Sequence, residues 1–270
     1  MFLQQLVTGI SIGGIYALLA TGYSLIYSLL DFSNWSHGEF AMIGAYVAIV
    51  CANMLGLPFF VAALAGVLGG ACISFLSERF AYRRIRRTGA PNMFLMIAAM
   101  GLSNVFQQVA LLIFSGQYRS YNFRLPVSTI RIGGAYLGVL DFISLIITTV
   151  VLIFLIFLIN KTKFGLDVRA IACNANAARV LGVRVDQSIA TVFLLAGSLA
   201  GTAGILYGMK YNVFPTMGNV GLKAFIASVI GGLGSVPGAI VGAVLLGVLE
   251  TFVSAYISSI LRDFVSFALV

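Results

Sequence analysis

Hydrophobic residues fall into long runs separated by short polar segments, with no alternation of period two. The runs cover 4–29, 38–55, 58–77, 93–114, 137–160, 188–209 and 222–257, and another begins at 264. A helix needs roughly 20 apolar residues to cross the hydrocarbon core of a bilayer. The pattern therefore predicts an all-α polytopic membrane protein with about eight transmembrane helices. It lacks the alternation that is typical of a membrane β-barrel.

Two of these runs are expected to be irregular. The first is long enough to be tilted or broken, and the seventh carries Gly231, Gly232, Gly234 and Pro237, which disfavour one smooth helix. A break at membrane depth is tolerated only where it is buried in protein or lines a cavity. Gly231, Gly232 and Gly234 are therefore predicted to border a translocation path through the membrane. A hinge without ligand contact is the alternative. Glu250, in the same run, is predicted to be buried with a polar partner.

Composition supports a membrane protein. The chain has 270 residues, of which 60% are hydrophobic and 9% charged, and its mean hydropathy is +1.05. A net charge of +8 could indicate nucleic-acid binding, but most basic residues flank apolar runs. Cys51, Cys72 and Cys173 have no paired spacing, so neither a disulfide nor a zinc site is predicted. The first run is interpreted as a membrane span rather than a removable signal peptide.

The distribution of basic residues predicts the orientation. The segments 78–90 and 161–187 each carry five lysines or arginines and are predicted to be cytoplasmic. The segment 115–136 is then external, although it contains Arg119, Arg124 and Arg131. Counting back three runs places the N-terminus outside, provided that 31–37 is a true loop and not a break within the membrane.

The polar cluster at 31–39 contains the only histidine and the only tryptophan of the chain. One interpretation is an interfacial turn anchored by Trp35. A second is a turn that also borders a translocation path, because ionisable groups near membrane depth are costly and tend to mark pathways. Catalysis or metal binding is disfavoured, since one histidine and two carboxylates lack a ligand spacing and a nucleophile. We predict that Asn34, His37 and Glu39 border a translocation path, and that the chain has no catalytic or metal-binding residue.

The segment 161–187 is predicted to be a docking element. Residues 174–181 can form two helical turns that stop at Gly182. Ala177 and Ala178 are expected to present a small flat surface to a partner protein, with Leu181 as a single protruding apolar side chain. Ala178→Arg is therefore expected to uncouple the chain from that partner, or to disassemble the complex, without unfolding the membrane domain. An amphipathic helix on anionic lipid is the alternative. The predicted docking residues are Arg169, Asn174, Asn176, Ala177, Ala178, Leu181 and Gly182.

Known signatures are also missing from the sequence. There is no G-x-x-x-x-G-K-[ST] motif, so the chain is not expected to bind ATP in a P-loop. No TVGYG-like filter or regular arginine array indicates a potassium channel or a voltage sensor. An ATP-independent facilitator or channel and an intramembrane enzyme remain alternatives.

Three segments together resemble a known family. They are GIYALLATGYSLIYSLLDFSNWSHGEFAMIGAY at 14–46, GLDVRAIACNANAARVLGV at 165–183 and GLKAFIASVIGGLGSVPGAIVGAVLLGVLE at 221–250. The first is similar to the pattern N-x-x-H-G-E with its flanking G-Y and G-x-Y motifs. The chain resembles the permease subunits of bacterial ABC importers for branched-chain amino acids. The second segment is similar to the E-A-A-x-x-x-G coupling motif, with Asn176 in place of the glutamate.

The resemblance implies a single permease domain over 1–270, type II-like in fold. The last apolar run stops at 270 without a polar cap, so its helix is expected to be cut short there or completed elsewhere. The resemblance also implies a bacterial cytoplasmic (inner) membrane location and no cofactor in this chain, because ATP and Mg would be bound by two cytoplasmic ATPase subunits. Further implied partners are a second permease subunit and an extracytoplasmic substrate-binding protein, which Arg119, Arg124 and Arg131 would meet. No nucleic acid is implied. Relatives also carry urea, short amides or other amino acids, so the substrate stays open.

Overall fold

Helices account for nearly all of the residues that the computed structural model describes, which are 2–122, 129–132 and 135–268. The α-helices are α1 Phe2–Leu30, α2 His37–Ile49, α3 Phe59–Ser77, α4 Arg83–Arg87, α5 Asn92–Phe114, α6 Val139–Lys161, α7 Lys163–Cys173, α8 Ala175–Val180, α9 Val185–Tyr211, α10 Val220–Gly231, α11 Val236–Tyr256 and α12 Leu261–Ala268. π-Helical turns extend α2 over Val50–Met54 and join α3 to α4 over Glu78–Tyr82. A 3₁₀ turn, Met217–Asn219, precedes α10.

Six helical segments of the described chain are long and apolar enough to cross a membrane. They are Phe2–Leu30, Phe59–Arg87, Asn92–Phe114, Val139–Lys161, Val185–Tyr211 and Val236–Tyr256. The predicted all-α polytopic fold is confirmed. About eight spans were expected; six of the helical segments are long enough to cross, and the other apolar helices are shorter. α2 and α10 have only 13 and 12 residues. α1 is one continuous helix, so the first run is not broken.

The seventh apolar run does break, as predicted. It folds into α10 and α11, which are joined by a turn at 232–235 and pack antiparallel. Gly232 and Gly234 adopt φ values of +93° and +85°, which L-residues with a side chain rarely take. The run is therefore a helical hairpin with its turn at the C-terminal end of α10.

Close contact between helix backbones holds the bundle together. α1 packs along α11, where a Cβ atom on Gly13 would lie 2.7 Å from the Cα of Val244. α2, α3 and α9 form a second closely packed group, in which Gly44 and Gly201 face each other. Small residues allow such approach, and apolar packing of this kind drives helix association within membranes.

The helix directions agree with the predicted orientation. Thr8 donates a hydrogen bond to Asp141 at 3.2 Å, and Gly14 packs on Thr148, so α1 and α6 run in the same direction. Since α6 leads from the predicted external segment to the predicted cytoplasmic one, the start of α1 lies at the same end of the bundle as the predicted external segment. α2 begins beside Ser103, midway along α5, and runs towards the C-terminal end of α5. The segment 31–36 is thus a reversal inside the fold.

The predicted external segment contains a short hairpin. Strands β1 Thr129–Ile132 and β2 Ala135–Gly138 pair antiparallel, with Arg131 opposite Tyr136. Farther back along the segment, Arg119 and Val213 exchange two backbone hydrogen bonds of 2.8 Å. These bonds tie the segment after α5 to the segment that leads from α9 to α10.

Candidate functional site: a polar cavity between two half-helices

A cavity of about 210 Å³ lies among the 31–39 segment, the middle of α5 and the start of α10. Its volume is below the roughly 300–1,000 Å³ that is usual for drug-sized ligands, so it suits a small molecule. The polar residues that line it are Asn34, Glu39, Ser103, Asn104, Gln107 and Asn219. A polar cavity is notable here because the surrounding helices are apolar enough to span a bilayer.

Two helices begin at this cavity. α2 starts at His37 and α10 at Val220, and their first turns meet where a Cβ atom on Gly221 would lie 2.7 Å from the Cα of Gly38. The contact requires glycine at both positions, because a side chain on either would separate the helices. A helix N-terminus carries a positive partial charge, so both half-helices direct this polarity towards the cavity.

Asn34 is buried, and its orientation is fixed by three hydrogen bonds. Its Oδ1 accepts from the backbone N–H of Ser36 at 3.3 Å, from the Ser36 hydroxyl at 2.8 Å and from the Tyr82 hydroxyl at 2.9 Å. The backbone N–H can only donate, so the acceptor must be the amide oxygen. The amide nitrogen of Asn34 has no partner within the described part of the chain.

Glu39 is also buried, with 3% of its surface exposed. Its Oε1 accepts a hydrogen bond from the Ser103 hydroxyl at 3.2 Å, and its Oε2 has no partner among the described residues. The carboxyl group lies against the backbone of Gly218, where any side chain would overlap it. A buried carboxylate without a cation is costly, and the N-terminus of α2 offsets about 0.3–1 kcal/mol of that cost.

The remaining predicted path residues lie elsewhere. His37 packs between the rings of Tyr23 and Phe40, with centroids 6.3 and 5.8 Å away, and the absence of a side chain on Gly22 makes room for it. It therefore positions α2 against α1 and does not line the cavity.

The glycine break does not line the cavity either. Gly231 packs against the backbone of Gly238, and Gly234 lies near Ser28. At Gly232, no atom lies within 4 Å of the position that a Cβ atom would take. At this cavity, the glycine break fits the alternative interpretation of a hinge without ligand contact. The break that borders the cavity is at 212–219, where the turn-forming sequence PTMGN separates two apolar runs.

A second polar cluster surrounds Glu250. The carboxylate accepts hydrogen bonds from the Tyr16 hydroxyl at 2.9 Å and the Ser266 hydroxyl at 2.7 Å, and lies 2.9 Å from Lys223. The prediction that Glu250 is buried with a polar partner is confirmed. Lys223 also donates to Asp263 in α12, and this hydrogen bond holds the pKa of Asp263 below its ordinary value. The cluster thus joins α1, α10, α11 and α12.

The predicted docking segment contains the expected helix. α8 begins after Asn174, whose Oδ1 accepts from the backbone N–H groups of Asn176 and Ala177, both at 3.0 Å. It stops before Gly182, which has a φ of +89°. The two-turn helix predicted at 174–181 is therefore confirmed as a structural element.

The face that α8 exposes differs from the prediction. Ala178 is 2% exposed and belongs to the hydrophobic core, so it presents no surface to a partner. Val180 and Leu181 are 87% and 82% exposed and form an apolar pair at the end of the helix. The expectation that Ala178→Arg would spare the fold is wrong, because the guanidinium would enter the core. Arg169 is exposed and donates a hydrogen bond to the Ile159 carbonyl, at the end of α6.

An ionic cluster lies beside α8. Asp186, in the first turn of α9, accepts hydrogen bonds from Arg83 at 3.0 Å, Arg87 at 3.3 Å and Arg86 at 3.4 Å. Arg86 also pairs with the buried Glu78 at 2.8 Å. These contacts join the start of α9 to α4 and to the π-helical turn that follows α3.

Of the three arginines predicted to dock a partner, Arg119 has a described side chain. The Arg119 guanidinium lies 5.3 Å from the centre of the Phe114 ring and donates to the Phe114 carbonyl at 3.4 Å. Arg131 lies in β1, and its side chain is outside the described part of the chain. Arg124 lies entirely outside the described residues.

An apolar bundle in which two half-helices begin at a polar cavity is typical of multi-pass membrane transport proteins. The sequence pattern of the family described as "Branched-chain amino acid transport system / permease component" matches residues 5–270. The chain belongs to this family and is a multi-pass protein of the cytoplasmic (inner) membrane.

Individual relatives support the same family assignment. The chain is 34% identical to the high-affinity branched-chain amino acid transport system permease protein LivH of Salmonella typhimurium, over 99% of this chain and 91% of that protein. It is 32% identical to BraD of Pseudomonas aeruginosa, with the same coverage. A solved structure, an inward-facing conformation of a metal-chelate type ABC transporter, matches with a TM-score of 0.58 at 18% identity, over 99% of this chain and 83% of that chain. That likeness supports the fold.

Proposed function

We propose that the chain forms half of the translocation path of an ATP-driven, binding-protein-dependent importer of branched-chain amino acids, and that the path runs past Asn34 and Glu39. The main observation in support of this proposal is the polar cavity between the starts of α2 and α10 within an apolar bundle. Membership of the family supports the transport role, and the names of the relatives support the substrate class.

A second permease chain, a homologue or a copy of this one, would complete the path. Trp35 and Asn104 line the cavity yet are exposed, so one side of it is open at the surface of this chain. An exposed polar residue on a membrane-spanning helix such as α5 is costly against lipid, and a partner chain would remove that cost.

Coupling to ATP would occur through α8. Two cytoplasmic ATPase subunits would hold ATP and Mg, and the exposed pair Val180 and Leu181 would enter a groove on one of them. The ionic cluster of Asp186 with the arginines of α4 adjoins α8, so a displacement of α8 would move α9 and α3 together. Rocking of these helices would open the cavity alternately to the two sides.

The extracytoplasmic binding protein would dock on the segment 115–136. Arg119 and Arg131, with Arg124, give this segment a positive charge that suits an acidic partner surface. Charge reversal of these arginines should slow uptake most strongly at low salt. Unchanged uptake and unchanged salt dependence would remove this part of the proposal.

The first test is purification of the tagged chain from its native membrane, with mass spectrometry of the proteins that accompany it. We expect P-loop ATPases and a second permease. Proteoliposomes that contain the complex should then take up leucine only when ATP and the loaded binding protein are supplied. Uptake that persists without ATP would favour a facilitator, and uptake of urea or short amides in place of leucine would change the substrate class.

The docking of α8 has its own test. Val180→Glu should abolish co-purification of the ATPase and leave the thermal stability unchanged, because the side chain is 87% exposed. Ile260→Glu is a matched control, since Ile260 is 85% exposed but lies at the other end of the bundle. Retention of the ATPase by Val180→Glu would contradict the assignment.

A further inference from the structure

Two buried polar groups of opposite hydrogen-bonding character line the same cavity. Asn34 is 1% exposed and has a free amide nitrogen, which is a donor, and Glu39 is 3% exposed and has a free carboxylate oxygen, which is an acceptor. Among the cavity-lining residues that the structure describes, these are the buried side-chain atoms without a partner. Leaving such groups unpaired costs about 1–3 kcal/mol each, and more for a charge.

Neighbouring groups orient both side chains. The three bonds that Asn34 Oδ1 accepts hold its amide plane in place. The Ser103 hydroxyl donates to one oxygen of the Glu39 carboxyl, and the backbone of Gly218 lies against the same carboxyl. The donor and the acceptor are therefore held ready for an external ligand, an arrangement that favours binding because little freedom is lost.

One side of the cavity wall is apolar and aromatic. Phe225 contacts Tyr23 and Trp35, with ring centroids 5.4 and 6.1 Å apart, and Leu222 adjoins them. Such a wall accommodates an aliphatic group by burial of apolar surface. The cavity thus combines polar side chains, among them the free donor and the free acceptor, with an apolar side.

We propose that this cavity is a substrate subsite that recognises the zwitterionic head of an amino acid. Asn34 Nδ2 donates to the substrate carboxylate, Glu39 Oε2 accepts from its ammonium group, and the aliphatic side chain lies against Trp35, Leu222 and Phe225. The inference rests on the proposed importer function and deepens it. It makes the permease path itself selective, in addition to the binding protein.

Other small ligands fit this pair of groups less well. A neutral ligand such as urea would leave the Glu39 carboxylate buried without a cation. A simple carboxylate would satisfy Asn34 but would be repelled by Glu39. A metal ion would lack ligands, because no group of three or more histidine, cysteine, aspartate or glutamate side chains occurs among the described residues.

The test is equilibrium binding of tritiated L-leucine to the purified importer complex in detergent, with the binding protein omitted. Two competitors each lack one half of the head: 3-methylbutylamine has no carboxylate and 4-methylpentanoate has no ammonium group. For the wild-type complex we expect saturable leucine binding, with each competitor at least about tenfold weaker than leucine.

Two nearly isosteric variants separate the two contacts. Glu39→Gln keeps the bond from Ser103 but loses the charge, so leucine should bind about tenfold more weakly and the disadvantage of 4-methylpentanoate should disappear. Asn34→Asp keeps the acceptor oxygen but replaces the donor, so leucine should weaken while 3-methylbutylamine gains relative to it. A purely structural role would not produce these opposite changes in selectivity.

Gly101→Ala is the matched control, because Gly101 lies on α5 like Ser103 but does not line the cavity, and no atom lies within 4 Å of the position that its Cβ atom would take. It should bind leucine within about twofold of wild type. The proposal is overturned if both variants keep wild-type selectivity, or if the wild-type complex transports leucine without saturable binding. Absence of ATP-driven uptake by the wild-type complex would overturn the importer function instead, and the binding measurements would still assess the subsite on their own.

Discussion

The two ends of α10 are stabilised in different ways. At its N-terminal end, the helix start meets α2 at the polar cavity, and Lys223 binds Glu250 and Asp263. At its C-terminal end, the contacts are between backbones: Gly231 packs on Gly238, and Gly242 lies against Ala227. One end is held by charges and hydrogen bonds, and the other by close packing of small residues.

This difference shows why glycine density is a poor guide to a ligand path. Glycines cluster at the C-terminal end because two helices approach to backbone contact and the connecting turn needs positive φ angles. The cavity lies at the other end, where polar side chains on three different elements converge. We therefore expect substitutions at the two ends to differ in whether they change stability or transport.

The largest effect is expected from removal of the cation at the N-terminal end. Lys223→Met leaves the buried Glu250 without its ion-pair partner, which should cost about 3–5 kcal/mol. Unfolding of the purified protein in detergent micelles measures this cost. The double variant with Glu250→Gln should recover part of it, because a glutamine needs no cation. A single variant as stable as wild type would mean that Tyr16 and Ser266 suffice for Glu250.

The next largest effect is expected at the packed end. Gly238→Val places a branched side chain against the backbone of Gly231, and overpacking should cost about 1–3 kcal/mol or more. The same unfolding measurement applies. Gly101→Ala is the control, since this exposed helical glycine has no atom within 4 Å of its built Cβ, and it should be neutral or stabilising by up to about 1 kcal/mol. Equal stabilities would refute the packing argument.

A smaller cost is expected in the turn after α10. Gly232 has open space around it but a φ of +93°, so Gly232→Ala should destabilise by roughly 1–2 kcal/mol through backbone strain alone. Gly116→Ala is the matched control, because Gly116 also has open space but no positive φ. Leucine uptake should be unchanged in both variants. A strong loss of uptake in Gly232→Ala would return this turn to the translocation path.

The smallest change in stability, but a clear change in transport, is expected at Gly218. Gly218→Ala places a methyl group against the Glu39 carboxyl, which is the movable end of a side chain, so stability should stay within about 0.5 kcal/mol. Displacement of that carboxyl should lower ATP-driven leucine uptake about tenfold. Gly101→Ala, which lies on α5 outside the cavity, should retain uptake. If Gly218→Ala transports like wild type, Glu39 does not contact the substrate.

Much of the site could be predicted from the sequence where the signal is local. Asn34 and Glu39 were identifiable because polar groups in an apolar context are costly and need a reason. The helix at α8 was identifiable from Asn174 as a cap and Gly182 as a stop. The exposed face of α8 was not, because the burial of Ala178 depends on which neighbours the short helix meets.

By itself, the sequence determined the class of protein and most of its apolar helices, because these depend on hydropathy. It also determined that the seventh run breaks. Only the tertiary structure decided that α10 is a half-helix whose start faces α2, that Ser103 and Gly218 complete the surroundings of Glu39, and that His37 does not line the cavity. The reason is physical: contacts between residues far apart in the chain depend on how helices pack, and many packings share one hydropathy pattern.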